Sequence, residues 1–242
     1  MKDYKEKIII TMTSWSKRLT NIPCVLDTIF NQTIKPDNIV INLSSEEFPN
    51  KENDIPNNVL EYIKNHNNII INWVGKNIKS WKKTIPTFNL FPNDVIITID
   101  DDKLYPSNFI EFLWNKHLEY PNNPITIDAW KWPNGFWQHC GQASLEKKDF
   151  YDNDIDKWLL TEITNFADED SFMTFMAVKH GNPFISAGKI QLIDYNNDDG
   201  INGKDGGKAY FWISNKLNDK FENYLYNNLE NLIFKNIKNI KI

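Results

Sequence analysis

Residues 94–106 read DVIITIDDDKLYP, and no other stretch constrains the chain as strongly. Val95 to Ile99 is apolar almost without a break and is bounded by Asn93 and Asp94. Such a run fits a strand buried on both faces of a parallel sheet. It delivers Asp100, Asp101 and Asp102 together at its carboxyl end. Three adjacent carboxylates repel one another, and at the edge of a low-dielectric core they call for a cation. Open α/β sheets bind ligands at the carboxyl ends of their strands. The simplest reading is a divalent metal site that holds a phosphorylated ligand. The plainer alternative is a solvated turn that caps a helix starting near Ser107.

The rest of the chain supplies the sheet that this strand requires. Ile8–Thr13, Ile39–Leu43 and Ile69–Val74 read as three earlier strands. Between them, Ile22, Val25, Leu26, Ile29 and Phe30 recur at helical spacing, as do Val59, Leu60 and Ile63. Residues 80–91 suit a short helix limited by Pro86, and Phe109, Phe112 and Leu113 give another helix its apolar stripe. Strands thus recur at intervals of about 25 to 30 residues, the repeat of βαβ units. After residue 120 the pattern changes. Residues 125–130 and 136–144 read as strands around a turn at Trp132–Gly135. Phe172, Phe175, Met176 and Lys179 share one helical face that begins just after Asp170. Residues 194–208, rich in Gly, Asn and Asp, read as a mobile loop. Leu225, Leu229, Leu232 and Ile233 form the stripe of a final helix packed on the same domain, with docking at a membrane surface as the minority alternative.

Composition narrows the function. The 242 residues suffice for one α/β domain with a full core. A net charge of −5 argues against a general nucleic-acid binder. Cys24 and Cys140 lie far apart and read as buried thiols of a cytoplasmic protein. No window approaches the roughly 20 apolar residues that span a bilayer, and the amino-terminal apolar stretch is too short for a signal peptide. Nine Trp and 14% aromatic residues are high, which suits sugar or base binding as well as core filling. The first glycine is Gly75, so no GxGxxG follows the first strand and a dinucleotide-binding dehydrogenase is disfavoured. GxSxG, HExxH and CxxC are missing, and the four His residues are scattered, against a His-based zinc site.

Five segments in order, ITMTSWSKRL, SWKKTIP, TIDDD, GFWQHCGQASL and FADEDSF, resemble the GT-A glycosyltransferases. The likeness is to small bacterial family 2-related enzymes that build capsule or lipopolysaccharide glycans, and it covers about residues 7–190. It implies a Rossmann-like GT-A fold, α/β, with a mostly parallel central sheet flanked by helices and a small acceptor-side subregion. The implied domain is 1–193, with a nucleotide-sugar half to about 106 and an acceptor half over about 107–193. Residues 194–242 follow as loop and helix.

The resemblance also implies roles. Mn²⁺ or Mg²⁺ would bridge the donor diphosphate and stabilise the departing charge. Asp102 is the expected direct ligand, with Asp100 on the ribose or the metal. Asp101 points the other way along an extended chain, which leaves a structural role open beside donor contact. Thr13, Ser14 and Trp15 end the first strand where base and ribose would lie. Arg18 would pair with a phosphate or with a nearby Asp, and Lys82 or Lys83 would meet the diphosphate. Asp170, with Asp168 close behind, is the expected general base toward the acceptor hydroxyl, implying inversion. Capping by acidic residues at a helix start is the competing explanation. Trp132, Phe136, Trp137 and Gly141 would line the acceptor side, where aromatic rings pack on a sugar's apolar face. The expected partners are a nucleotide-diphosphate sugar and a glycan or lipid-linked glycan acceptor, at or near the cytoplasmic face of the inner membrane, without nucleic acid. Two alternatives stand: a nucleotidyl or phosphoryl transferase with the same acidic site, and a non-catalytic GT-A-like binding protein.

Overall fold

The computed structural model describes residues 6–127, 129–131, 137–138, 142–153, 155–160 and 169–195. The chain enters directly into β1 (Ile8–Thr13). Next comes α1 (Ile22–Phe30), whose Ile22, Val25, Leu26 and Ile29 are buried at i, i+3, i+4 and i+7. Pro23 lies in its first turn, where a missing N–H costs nothing. β2 (Asn38–Ser44), α2 (Asn57–Lys64) and β3 (Ile69–Val74) complete a parallel β1–β2–β3 array. α3 (Ile85–Leu90) follows a 3₁₀ turn at Lys79–Lys82. Pro86 limits α3 to its carboxyl side, as expected from sequence, and sits in the first turn, the tolerated position.

β4 (Val95–Thr98) lies parallel to β1, pairing Ile8 with Val95 and Thr11 with Thr98. Beyond it come β5 (Lys103–Leu104) and α4 (Phe109–Glu119). The stretch read as two long strands is instead four short ones. β6 (Ile125–Ile127) joins the main sheet. β7 (Trp130–Lys131) and β8 (Trp137–Gln138) pair antiparallel as a separate ribbon. β9 (Ser144–Glu146) inserts antiparallel between β4 and β6. α5 (Glu169–His180) is followed by β10 (Ile185–Gly188), parallel to β6. β11 (Ile193–Asp194) pairs antiparallel with β5. The final helix read over Leu225–Ile233 lies outside the described residues.

The seven-stranded sheet runs β10-β6-β9-β4-β1-β2-β3 and is mostly parallel. Alternation along each strand divides its side chains between two cores. Ile8, Ile10, Ile39, Ile41, Val95 and Ile97 face α1, α2 and α4. Ile9, Val40 and Ile96 face the other side, where Trp81, Phe88, Tyr151, Phe172 and Met176 cover them. On α5 the buried apolar residues are Phe172, Met173, Met176 and Ala177, whereas Lys179, read as part of the stripe, is exposed. Trp81 selects that face, its ring 4.8 Å from Phe172. Cys24 is exposed, contrary to the buried thiol expected: it occupies the outward side of α1 and accepts a hydrogen bond from Tyr195 Oη at 3.0 Å. Cys140 lies outside the described residues.

Candidate active site

Parallel pairing brings the carboxyl ends of β1, β2 and β4 to one edge, and the acidic triplet emerges there from the middle of the sheet. Asp101 and Asp102 are each only 6% exposed, so the triplet is not a solvated turn. Ser14, just past β1, donates to Asp101 Oδ2 at 2.6 Å. Arg18 Nη1 lies 2.9 Å from Asp101 Oδ1 and 3.0 Å from Asp102 Oδ2. Of the two roles open to Arg18, this is the pairing with aspartate. Asp101 therefore has both oxygens engaged by protein. On the opposite side, Lys83 Nζ sits 2.6 Å from Asp100 Oδ1. The Asp100 backbone N–H donates to Tyr105 Oη at 2.7 Å, which fixes the turn.

Burial without full compensation raises the carboxyl pKa values. Desolvation pushes Asp102 up to about 6, with Asp100 adding to the rise and Arg18 opposing it. Asp101 is raised by the same burial, against the pull of Ser14 and Arg18. At Lys83 burial acts to lower the pKa, but Asp100, Glu169 and Asp170 outweigh it and hold the ammonium charged. That one ammonium therefore lies in the field of both acidic clusters. Lys82 donates to Asn77 Oδ1 at 3.0 Å, and burial lowers its pKa against the opposing pull of Glu47 and Asp101.

At the start of α5, Glu169 is 4% exposed and Asp170 is half-buried. Burial pushes Glu169 up to about 8; Lys83 opposes the rise, while Asp170 and Glu146 add to it. Its Oε1 has no hydrogen-bond partner among the described residues. Beneath it, Tyr151 Oη donates to Glu146 Oε2 at 2.5 Å. Sequence reasoning did not single out Glu169, Glu146 or Tyr151. ADED carried the signal for Glu169, but its surroundings, Lys83 and Thr84 among them, come together only in the fold. Asp168, Trp132, Phe136 and Gly141 lie outside the described residues, as does the side chain of Trp137.

On the nucleotide side, Thr13 Oγ1 donates to the Asn42 carbonyl at 2.8 Å. Trp15 is half-buried, and Lys17 Nζ lies 5.2 Å from the centre of its ring. On the other side, β11 returns to the acidic strand: Tyr195 N–H donates to the Asp102 carbonyl at 2.8 Å, and Lys103 pairs with Asp194. A recess of about 560 Å³ opens there, lined by Lys103, Gln142, Lys189, Gln191 and Asp194 among others.

Among the described residues, no group of three or more His, Cys, Asp or Glu is arranged to hold a metal unaided. Lys83 takes one oxygen of Asp100 and Arg18 takes one oxygen of Asp102, so each carboxylate keeps a second oxygen. Hard divalent ions commonly accept one or two carboxylates, with phosphate and water filling the remaining positions. The two remaining carboxylate oxygens fit a hard divalent ion that draws its other ligands from outside the protein.

No protein-family model matches the chain, and no curated protein matches it. Solved structures do. One is the mannosyltransferase PcManGT from Pyrobaculum calidifontis in complex with GDP-Man and Mn²⁺, 16% identical, with a TM-score of 0.57 over 82% of this chain. The chain spans only 59% of that protein. Another is 4-diphosphocytidyl-2C-methyl-D-erythritol synthase from Anaerococcus prevotii, 13% identical, with a TM-score of 0.53 over 80% of this chain and 94% of that one. The shared architecture is the Rossmann-like GT-A fold. No helix among the described residues is long and apolar enough to cross a membrane.

Proposed function

We propose that the chain is a metal-dependent glycosyltransferase that moves a sugar, with inversion, from a nucleotide-diphosphate sugar to a hydroxyl of a glycan or lipid-linked glycan. Its setting in this reading is bacterial surface polysaccharide synthesis, capsule or lipopolysaccharide, at the cytoplasmic face of the membrane. One observation carries it: the Lys83 ammonium sits 2.6 Å from Asp100 and within the field of Glu169 and Asp170. A donor-side carboxylate cluster and a second cluster of the kind that activates an acceptor thus face one cation at the carboxyl edge of the sheet. A bystander acidic turn has no reason to bury that arrangement.

Asp102 and Asp100 would hold the Mn²⁺ or Mg²⁺ ion, which when bound neutralises charge on the departing diphosphate. Arg18 keeps Asp101 and Asp102 oriented and offsets their repulsion before the donor arrives. Thr13, Ser14 and Trp15 flank the base and ribose. Asp170, half-buried beside Lys83, accepts the proton of the acceptor hydroxyl, with Asp168 as the alternative base. In this reading Trp132, Phe136, Trp137 and Gly141 make the acceptor side.

A second reading, nucleotidyl transfer to a phosphorylated acceptor, is favoured by the likeness to the Anaerococcus prevotii synthase over 94% of its length. Incubation with a panel of nucleotide sugars and Mn²⁺ separates the two. Metal-dependent release of nucleoside diphosphate supports sugar transfer. Pyrophosphate release from a nucleoside triphosphate and a sugar phosphate supports the second reading. Asp102→Ala should abolish metal-dependent thermal stabilisation by UDP or GDP while the fold is retained; undiminished stabilisation removes Asp102 from its role. Asp170→Asn should bind donor normally and transfer nothing, whereas full transfer would move the base elsewhere.

A further inference from the structure

Thr11 and Asn42, on the sheet face that carries Ile9 and Val40, and Thr87, on α3, are buried polar side chains, each 0% exposed. Burying such groups costs free energy unless every one finds a partner. Here they converge on a single backbone atom. The Lys83 carbonyl lies 2.7 Å from Thr11 Oγ1, 3.0 Å from Thr87 Oγ1 and 3.3 Å from Asn42 Nδ2. The two hydroxyls are themselves 2.7 Å apart, so one donates to the carbonyl and the other to its neighbour. Asn42 Nδ2 also reaches Thr11 Oγ1 at 3.0 Å and Thr87 Oγ1 at 2.9 Å, and its Oδ1 accepts from Asn72 at 2.7 Å.

Local helix geometry explains why this carbonyl needs side-chain donors. Residue 83 precedes α3, and the donors it would ordinarily receive lie three and four residues on. Pro86 has no N–H, and the Thr87 N–H is committed to the Thr84 carbonyl at 3.0 Å. A valine at position 11 would fill the same space in a sheet core without needing a partner. The Thr11 hydroxyl instead links the Lys83 carbonyl to Thr87 and Asn42.

We propose that Thr11 and Asn42 are positioning residues: they hold the Lys83 carbonyl and thereby aim its ammonium at Asp100 and toward Glu169 and Asp170. The inference rests on the reading of that edge as a transfer site, and it extends the site about one strand width into the sheet. The side chains touch no reacting atom. They act by removing freedom from the 79–84 turn, whose Lys79 already carries a φ of 53°. Small displacements of a group that orients reactants have large effects on rate.

The test compares two substitutions at one position. Thr11→Val keeps the shape and loses the hydroxyl; Thr11→Ser keeps the hydroxyl and loses a methyl group. In ¹H–¹⁵N spectra the Lys83 ammonium resonance, identified by its loss in Lys83→Met, should move in Thr11→Val and stay in place in Thr11→Ser. Turnover should fall about tenfold in Thr11→Val with the donor KM within about twofold, and Thr11→Ser should match the parent. A Lys83 resonance unmoved in Thr11→Val, or equal effects from both variants, overturns the proposal. Movement of the resonance as expected, with no turnover of any donor by the parent protein, upholds the positioning and sinks the transfer reading instead. Thr87→Val against Thr87→Ser runs the same comparison should Thr11→Val fail to fold.

Discussion

Glu169 is a buried carboxyl that sits in the field of the Lys83 ammonium, and its raised pKa has a consequence for stability. Its folded value of about 8 lies above the ordinary 4.5. Below pH 4.5 both folded and unfolded chains hold the proton, so no penalty exists. Between 4.5 and about 8 the unfolded chain releases it and the folded chain does not, so stability falls as pH rises. Each unit is worth about 1.4 kcal/mol, which bounds the loss at about 5 kcal/mol. The raised pKa of Asp102, about 6, acts in the same direction over a lower range. Urea denaturation of the metal-free protein from pH 5 to pH 9 should show this decline, and Glu169→Gln should remove most of its upper half. Parallel profiles for the two proteins would mean that Glu169 is already ionised in the fold. Residue identity was readable in the acidic triplet and in ADED. The partners of those residues were not: Ser14 and Arg18 meet Asp101 across 87 and 83 positions of sequence.

At the scale of elements, β2 is central and β3 is an edge strand. Ile41 is 0% exposed, whereas Ile71 is only partly buried. Ile41→Ala should therefore cost about 3 to 4 kcal/mol and Ile71→Ala roughly half as much, both read from urea midpoints. Equal losses would show that β3 is covered as fully as β2. Strands and helices of the first half were legible because each declares itself through its own pattern: apolar runs at 39–43 and 95–99, each broken once, by Asn42 and Thr98, and helical spacing at 22–30. The second half was harder for a physical reason. β6 to β9 are each two or three residues long, too short to display any period. The α5 stripe was right for Phe172, Phe175 and Met176 and wrong for Lys179, because apolar residues lie on nearly every side of that helix and the facing partner Trp81 helps decide which are buried.

For the molecule as a whole, protection should follow position in the sheet. Amide hydrogen exchange should be slowest in β1 and β4, which have neighbours on both edges and a core on both faces, and faster in β3 and β10 at the margins. Exchange at β3 as slow as at β1 would contradict the strand order. The same order explains the site. A parallel sheet collects the carboxyl ends of its strands, so β1 and β4 must present Ser14, Arg18 and the aspartates at one edge. Alternation, crossover length and the acidic end of β4 are local properties, written in consecutive residues, and they determined a parallel α/β sheet with a charged carboxyl edge. The antiparallel insertion of β9, the commitment of Arg18 to Asp101 and Asp102, and the grip of Thr11 and Asn42 on the Lys83 carbonyl were decided only in three dimensions. Each depends on groups far apart in the chain, and a buried polar atom takes whichever partner the packed core brings within reach.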